Sequence, residues 1–172
     1  MALTLFYITS AVAVFATVMM ITRLNAVHGL LYLILSLLAV GVLFFLLGAY
    51  FAAVLEVIIY AGAIMVLFVF VIMMLNQGQK TLEQERVWLQ PGIWIGPSLL
   101  ALILFVEMLV IVVSGGSAEI GYAVSAKQVG IALYGPYLLA VELASMLLLA
   151  GLVGAYHLGK PMIKMTRAGV KS

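Results

Sequence analysis

Five runs of apolar residues, at 3–22, 27–47, 50–75, 93–114 and 132–158, dominate this sequence. Each reaches the roughly 20 residues that a helix needs to cross the hydrocarbon core of a bilayer. Of the 172 residues, 67% are hydrophobic and 8% charged, whereas a soluble domain carries about 25% charged residues. The expected fold is an all-α integral membrane protein of five transmembrane helices. Residues 1–160 would form one membrane domain and 161–172 a short basic tail. Residues 1–22 lack the basic start of a secretory signal, and their apolar run is too long for one, so they are expected to remain as the first helix.

The breaks between the runs set the topology. Arg23-Leu24-Asn25 is a tight polar turn, with Asn25 placed to cap the second helix. Gly48 is the main punctuation between the second and third runs, so that turn must be very short. Residues 76–92 form a loop closed by Pro91-Gly92, and 115–127 form a second, rich in Gly and Ser. With the N-terminus outside, the inner segments hold Arg23, Lys80, Arg86, Lys160, Lys164, Arg167 and Lys171, and the outer segments only Lys127. The positive-inside rule therefore predicts an outer N-terminus and a cytoplasmic C-terminus. Trp88 and Trp94 flank the inner end of the fourth helix, where interfacial tryptophans belong. No internal repeat is visible, which weighs against a self-contained secondary transporter.

The residue inventory narrows the chemistry. The chain has no cysteine, which excludes thiolate iron–sulfur ligation and a cysteine zinc site. Aspartate is absent, and His28 and His157 lie far apart, so no metal site is expected within this chain. The basic residues lack a polar domain to present them to nucleic acid.

Three glutamates, Glu56, Glu107 and Glu142, fall inside the apolar runs. A carboxylate in hydrocarbon is costly, so each must face protein or water. Glu56 and Glu142 read either as proton-relay residues or as buried carboxyls bonded to a neighbouring helix. Glu107 has no small or polar residue near it in sequence and is assigned no role. Tyr60 lies four residues after Glu56, on the same face of an α-helix, and is either part of a wet seam or a packing aromatic. Tyr60-Ala61-Gly62-Ala63 fall mid-helix. Gly62 there serves close packing or marks a π-bulge or hinge, and periodicity does not separate the two. In the last run, Tyr134-Gly135-Pro136-Tyr137 is a helix-start signal. Ala140 with Ala144, and Ala150 with Gly154, are small-residue pairs suited to close helix packing.

The stretch LGAYFAAVLEVIIYAGAIMVLFVFVIMMLN at 47–76 resembles the third helix of the subunit 6/subunit J family of respiratory complex I, the proton-pumping NADH:quinone oxidoreductase. Val27-His28-Gly29-Leu30-Leu31-Tyr32-Leu33 is similar to the start of that family's second helix. Pro136-Tyr137 and Val141-Glu142-Leu143-Ala144-Ser145 are similar to its fifth. The likeness covers about residues 1–160; one departure is Asn25-Ala26 where the family often has Asn-Pro. It implies a non-redox core subunit of the membrane arm in a bacterial inner membrane. Its partners would be other membrane-arm subunits, especially the quinone-site subunit and the small three-helix K subunit. The complex would use NADH, FMN, iron–sulfur clusters and a quinone, none held by this chain. The family's third helix can carry a π-bulge at the position of Tyr60-Ala61-Gly62. Glu56 and Tyr60 match positions facing its proton route, and Glu142 matches its fifth-helix carboxylate. The rival expectations are a purely structural assembly subunit and a free-standing ion carrier.

Overall fold

The computed structural model describes residues 2–23, 26–75, 91–114 and 122–159. Asn25, residues 76–90 of the expected loop with Lys80, Arg86 and Trp88, and the basic segment from Lys160 lie outside the described residues. The elements are α1 (Ala2–Thr22), α2 (Ala26–Leu46), α3 (50–75), α4 (Pro91–Val113), α5 (Ala126–Tyr134) and α6 (Leu138–Gly159). No strand occurs among the described residues. Five of the helices, all but α5, are long and apolar enough to span a bilayer. The chain forms two compact units, residues 1–126 and 127–172.

In the first unit α1, α2 and α4 share a core. Val12, Ala13 and Ala16 of α1 pack with Tyr32, Leu35 and Ala39 of α2 and with Leu100 and Leu104 of α4. Ala16 and Ala39 are fully buried. Without a hydrophobic drive between helices in lipid, such small residues let backbones approach until dispersion and polar contacts hold them. The polar contacts are present. Thr17 Oγ1 and Ser36 Oγ lie 2.8 Å apart across the α1–α2 interface, and Ser36 Oγ also donates to the Ala13 carbonyl at 3.3 Å. Thr17 donates back to that carbonyl at 2.8 Å, so its hydroxyl proton is satisfied within the helix.

The turn from α2 to α3 depends on one glycine. Gly48 has φ +79°, a left-handed conformation that costs glycine little. Its N–H donates to the Phe45 carbonyl at 3.0 Å, and the Ala49 N–H to the Phe44 carbonyl at 2.9 Å. This pair of bonds is a Schellman end, and it closes the carbonyls that α2 would otherwise leave open to lipid. The segment after α4 rests on this turn: the Val124 N–H donates to the Gly48 carbonyl at 2.9 Å.

In the second unit the fifth apolar run is divided. α5 ends at Tyr134, and the span begins at Leu138, later than the 132 expected from hydropathy. Pro136 is the cause. It has no N–H to give the Ala132 carbonyl, which accepts from Tyr137 at 3.2 Å instead. Gly135 is required in this turn, because a Cβ there would meet the Ile131 carbonyl at 2.8 Å.

α4 also approaches α2 closely at Gly96, where an added Cβ would overlap the Tyr32 hydroxyl. The Tyr32 ring is capped by the Arg23 guanidinium, 5.4 Å from its centroid, a cation–π contact. Gly96→Ala is expected to destabilise the protein by about 1–3 kcal/mol, as overpacking does. Tyr32→Phe, which removes the overlapping oxygen, should restore most of that loss. Thermal unfolding of the two single variants and the double variant in detergent checks the coupling.

Candidate functional site

The third span is not a uniform α-helix. It runs as α-helix over Tyr50–Leu55, as π-helix over Glu56–Ile64 and again as α-helix over Met65–Leu75. π-Helix is rare, is usually confined to a single turn, and often lies at functional sites. The register change is visible in the backbone bonds. The Glu56 N–H points at the Ala52 and Ala53 carbonyls. The Met65 N–H points at Gly62 O and, five residues back, at Tyr60 O. Tyr60, Ala61, Gly62 and Ala63 all lie within the π segment.

Gly62 suits this geometry. A Cβ added there would lie 3.1 Å from the Val57 carbonyl, five residues earlier. That is tighter than an ordinary carbon–oxygen contact, so a larger residue would press on the wide turn.

Glu56 heads the π segment and is buried, at 9% exposure. It packs against α2 at Gly41, where an added Cβ would lie 3.4 Å from Val57 Cγ2 and 3.8 Å from Glu56 Cγ. Ala53 and Met65 are buried on the same span. Tyr60 is 49% exposed, so the structure does not bury it with Glu56.

Beside the π segment lies an open cavity of about 530 Å³ between α2, α3 and α4. Gly41, Val54, Val57, Ile58, Leu104 and Met108 line it among other apolar residues.

Glu107, to which sequence reasoning gave no role, is buried at 4% exposure. Its partner comes from another helix: Thr9 Oγ1 of α1 lies 3.0 Å from Glu107 Oε2. No local pattern around Glu107 signals this pairing. Its only trace in the sequence is Thr9, a hydroxyl residue within the first apolar run.

Glu142 is exposed on α6. Ser145, expected beside it, bonds its backbone: Ser145 Oγ donates to the Glu142 carbonyl at 2.7 Å. Ala140, Ala144 and Ala150 are exposed, and a Cβ at Gly154 would meet open space. Among the described residues no cluster of His, Asp or Glu could hold a metal.

These features define a five-span helical membrane protein whose third span carries a π-helical segment headed by a buried carboxyl. The family model for NADH-ubiquinone/plastoquinone oxidoreductase chain 6 matches residues 16–158, and the chain belongs to that family. NADH-quinone oxidoreductase subunit J of Pseudomonas aeruginosa is 66% identical over 157 residues, covering 90% of this chain and 95% of that protein. Subunit J of Escherichia coli K12 is 59% identical over 156 residues, covering 90% and 85%. Subunit J of Buchnera aphidicola subsp. Schizaphis graminum is 54% identical over 156 residues, covering 90% and 96%.

The Gly41 contact yields a graded prediction. Gly41→Ala adds a methyl at ordinary contact distance and should change stability by less than about 1.5 kcal/mol. Gly41→Leu must displace Val57 or Glu56 and should lower activity of the assembled oxidoreductase several-fold. Quinone-dependent NADH oxidation in membranes carrying each variant checks the order.

Proposed function

We propose that this chain is a non-redox subunit of the membrane arm of a proton-pumping NADH-quinone oxidoreductase. It couples quinone reduction to proton translocation through a third helix that switches register. The observation that carries this reading is the π segment Glu56–Ile64, with a buried carboxyl at its head and Gly62 inside its wide turn.

The physics of the switch is simple. In an α-helix each residue turns the chain by about 100°. Converting the π segment to α therefore withdraws the surplus residue and rotates one flank of α3 against the other by about that angle. Such a rotation carries Tyr60 and the 65–75 segment to new faces. Backbone bonds change partners during the switch and are not lost to lipid. A seam that includes Glu56 and Tyr60 would wet in one register and dry in the other, which makes or breaks a proton path. Glu142, matching the fifth-helix carboxylate, is a further proton-path candidate.

Electron transfer takes place elsewhere in the complex, because this chain has no cysteine for an iron–sulfur cluster. The names of the relatives support complex I partners; we place the quinone-site subunit and the K subunit beside this chain. Ala140, Ala144, Ala150 and Gly154 give α6 a small-residue face for helix contact. The positive-inside bias supports an outer N-terminus in a bacterial inner membrane.

The test uses the assembled complex in proteoliposomes, with electron transfer and proton uptake measured together. Gly62→Ala should disfavour the π register, because its Cβ would press on the Val57 carbonyl across the wide turn. Gly62→Leu should go further. Proton uptake per electron should fall in that order while the complex still assembles. Unchanged pumping in Gly62→Leu removes the switch. Unchanged pumping in Glu56→Gln combined with Tyr60→Phe removes the proposed route and leaves the chain an assembly role.

A further inference from the structure

Glu107 stands apart from the π segment, and its hydrogen bonds do not balance if it is a carboxylate. Thr9 Oγ1 lies 2.8 Å from the Leu5 carbonyl oxygen and 3.0 Å from Glu107 Oε2. A hydroxyl has one hydrogen and two lone pairs. The Leu5 carbonyl can only accept, and at the shorter distance it takes the Thr9 proton. The Thr9–Glu107 contact then needs a proton from the other side. Were Thr9 instead to donate to a carboxylate, its lone pairs would face the Leu5 carbonyl at 2.8 Å with no hydrogen between them.

The second oxygen gives an independent reason. Glu107 Oε1 is buried and has no hydrogen-bond partner among the described residues. An anionic oxygen closed off in this way is strongly disfavoured, whereas the carbonyl oxygen of a neutral acid tolerates it far better.

We propose that Glu107 is a neutral carboxylic acid that clamps α4 to α1. Its O–H donates to Thr9 Oγ1, and Thr9 passes its own proton to the Leu5 carbonyl. The clamp is a positioning device: it holds α4, one wall of the cavity beside the π segment, against α1. It does not depend on the switch in α3 and would stand if that switch were disproved.

The experiment is infrared spectroscopy of the assembled complex, with and without carboxyl-labelled [13C]glutamate, comparing wild type with Glu107→Gln. Gln keeps the shape and supplies an N–H donor to Thr9, so assembly should persist. The expected result is loss of one carboxylic-acid C=O band in Glu107→Gln, the same band being displaced in Thr9→Val and kept near its wild-type position in Thr9→Ser. Loss of a carboxylate band instead, or a carboxylic-acid band indifferent to Thr9→Val, overturns the proposal. Should Glu107→Gln fail to assemble, the Thr9→Val and Thr9→Ser pair decides alone. The clamp further predicts that Gln rescues what Glu107→Leu loses in yield of assembled complex; equal loss in both would also overturn it.

Discussion

Everything in this chain answers to one constraint: inside hydrocarbon, each backbone N–H and C=O must find its partner within the protein. Regular helices meet it by default, and the turn at Gly48 meets it with two explicit bonds to Phe44 and Phe45. The π segment meets it by exchanging carbonyl acceptors, as the Met65 N–H does between Gly62 and Tyr60. An unwound stretch would expose donors to lipid, whereas a π turn exposes almost none. A helix that must move within a membrane is therefore best served by a defect of this kind.

Packing within the first unit is uneven. Half of the central window of α2, 50%, is buried, against 6% for the third span. α1, α2 and α4 are joined by fully buried alanines, by the Thr17–Ser36 contact and by the Thr9–Glu107 contact. The third span meets α2 across Gly41 and borders an open apolar cavity. In the proposed switch, these packed helices would form the frame against which α3 changes register.

The fold was legible because spanning length is a one-dimensional property: five runs of about 20 apolar residues leave few alternatives. The Gly48 turn was legible for a similar reason, since glycine is the residue that ends a helix left-handed. The division of the fifth run was only half legible. Pro136 marked the boundary, but only residues 132–134 of α5 fell within the apolar run, and the rest of that short helix, with Lys127 and Gln128, gave no sign of a separate element. The site was less accessible. The motif Tyr60-Ala61-Gly62 marked a place for a defect, but its full extent, Glu56–Ile64, is not written in any local residue. Glu107 was opaque because its partner Thr9 is 98 residues away in sequence.

The three membrane carboxyls differ in what can reach them, and that sorts their roles. Glu107 is sealed between α1 and α4, with one oxygen closed to any partner among the described residues. Its bond to Thr9 across the two helices suits the proposed clamp. Glu142 is exposed on α6. Because a carboxyl facing lipid is costly, that side of α6 must turn towards protein or water. Glu56 alone sits where the backbone register changes, between the frame at Gly41 and the wide turn that ends beyond Gly62. Its surroundings are the ones that a π-to-α conversion would alter. A carboxyl whose hydration follows helix register is what the proposed gated path would require, and of the three Glu56 is the one that lies at a register change.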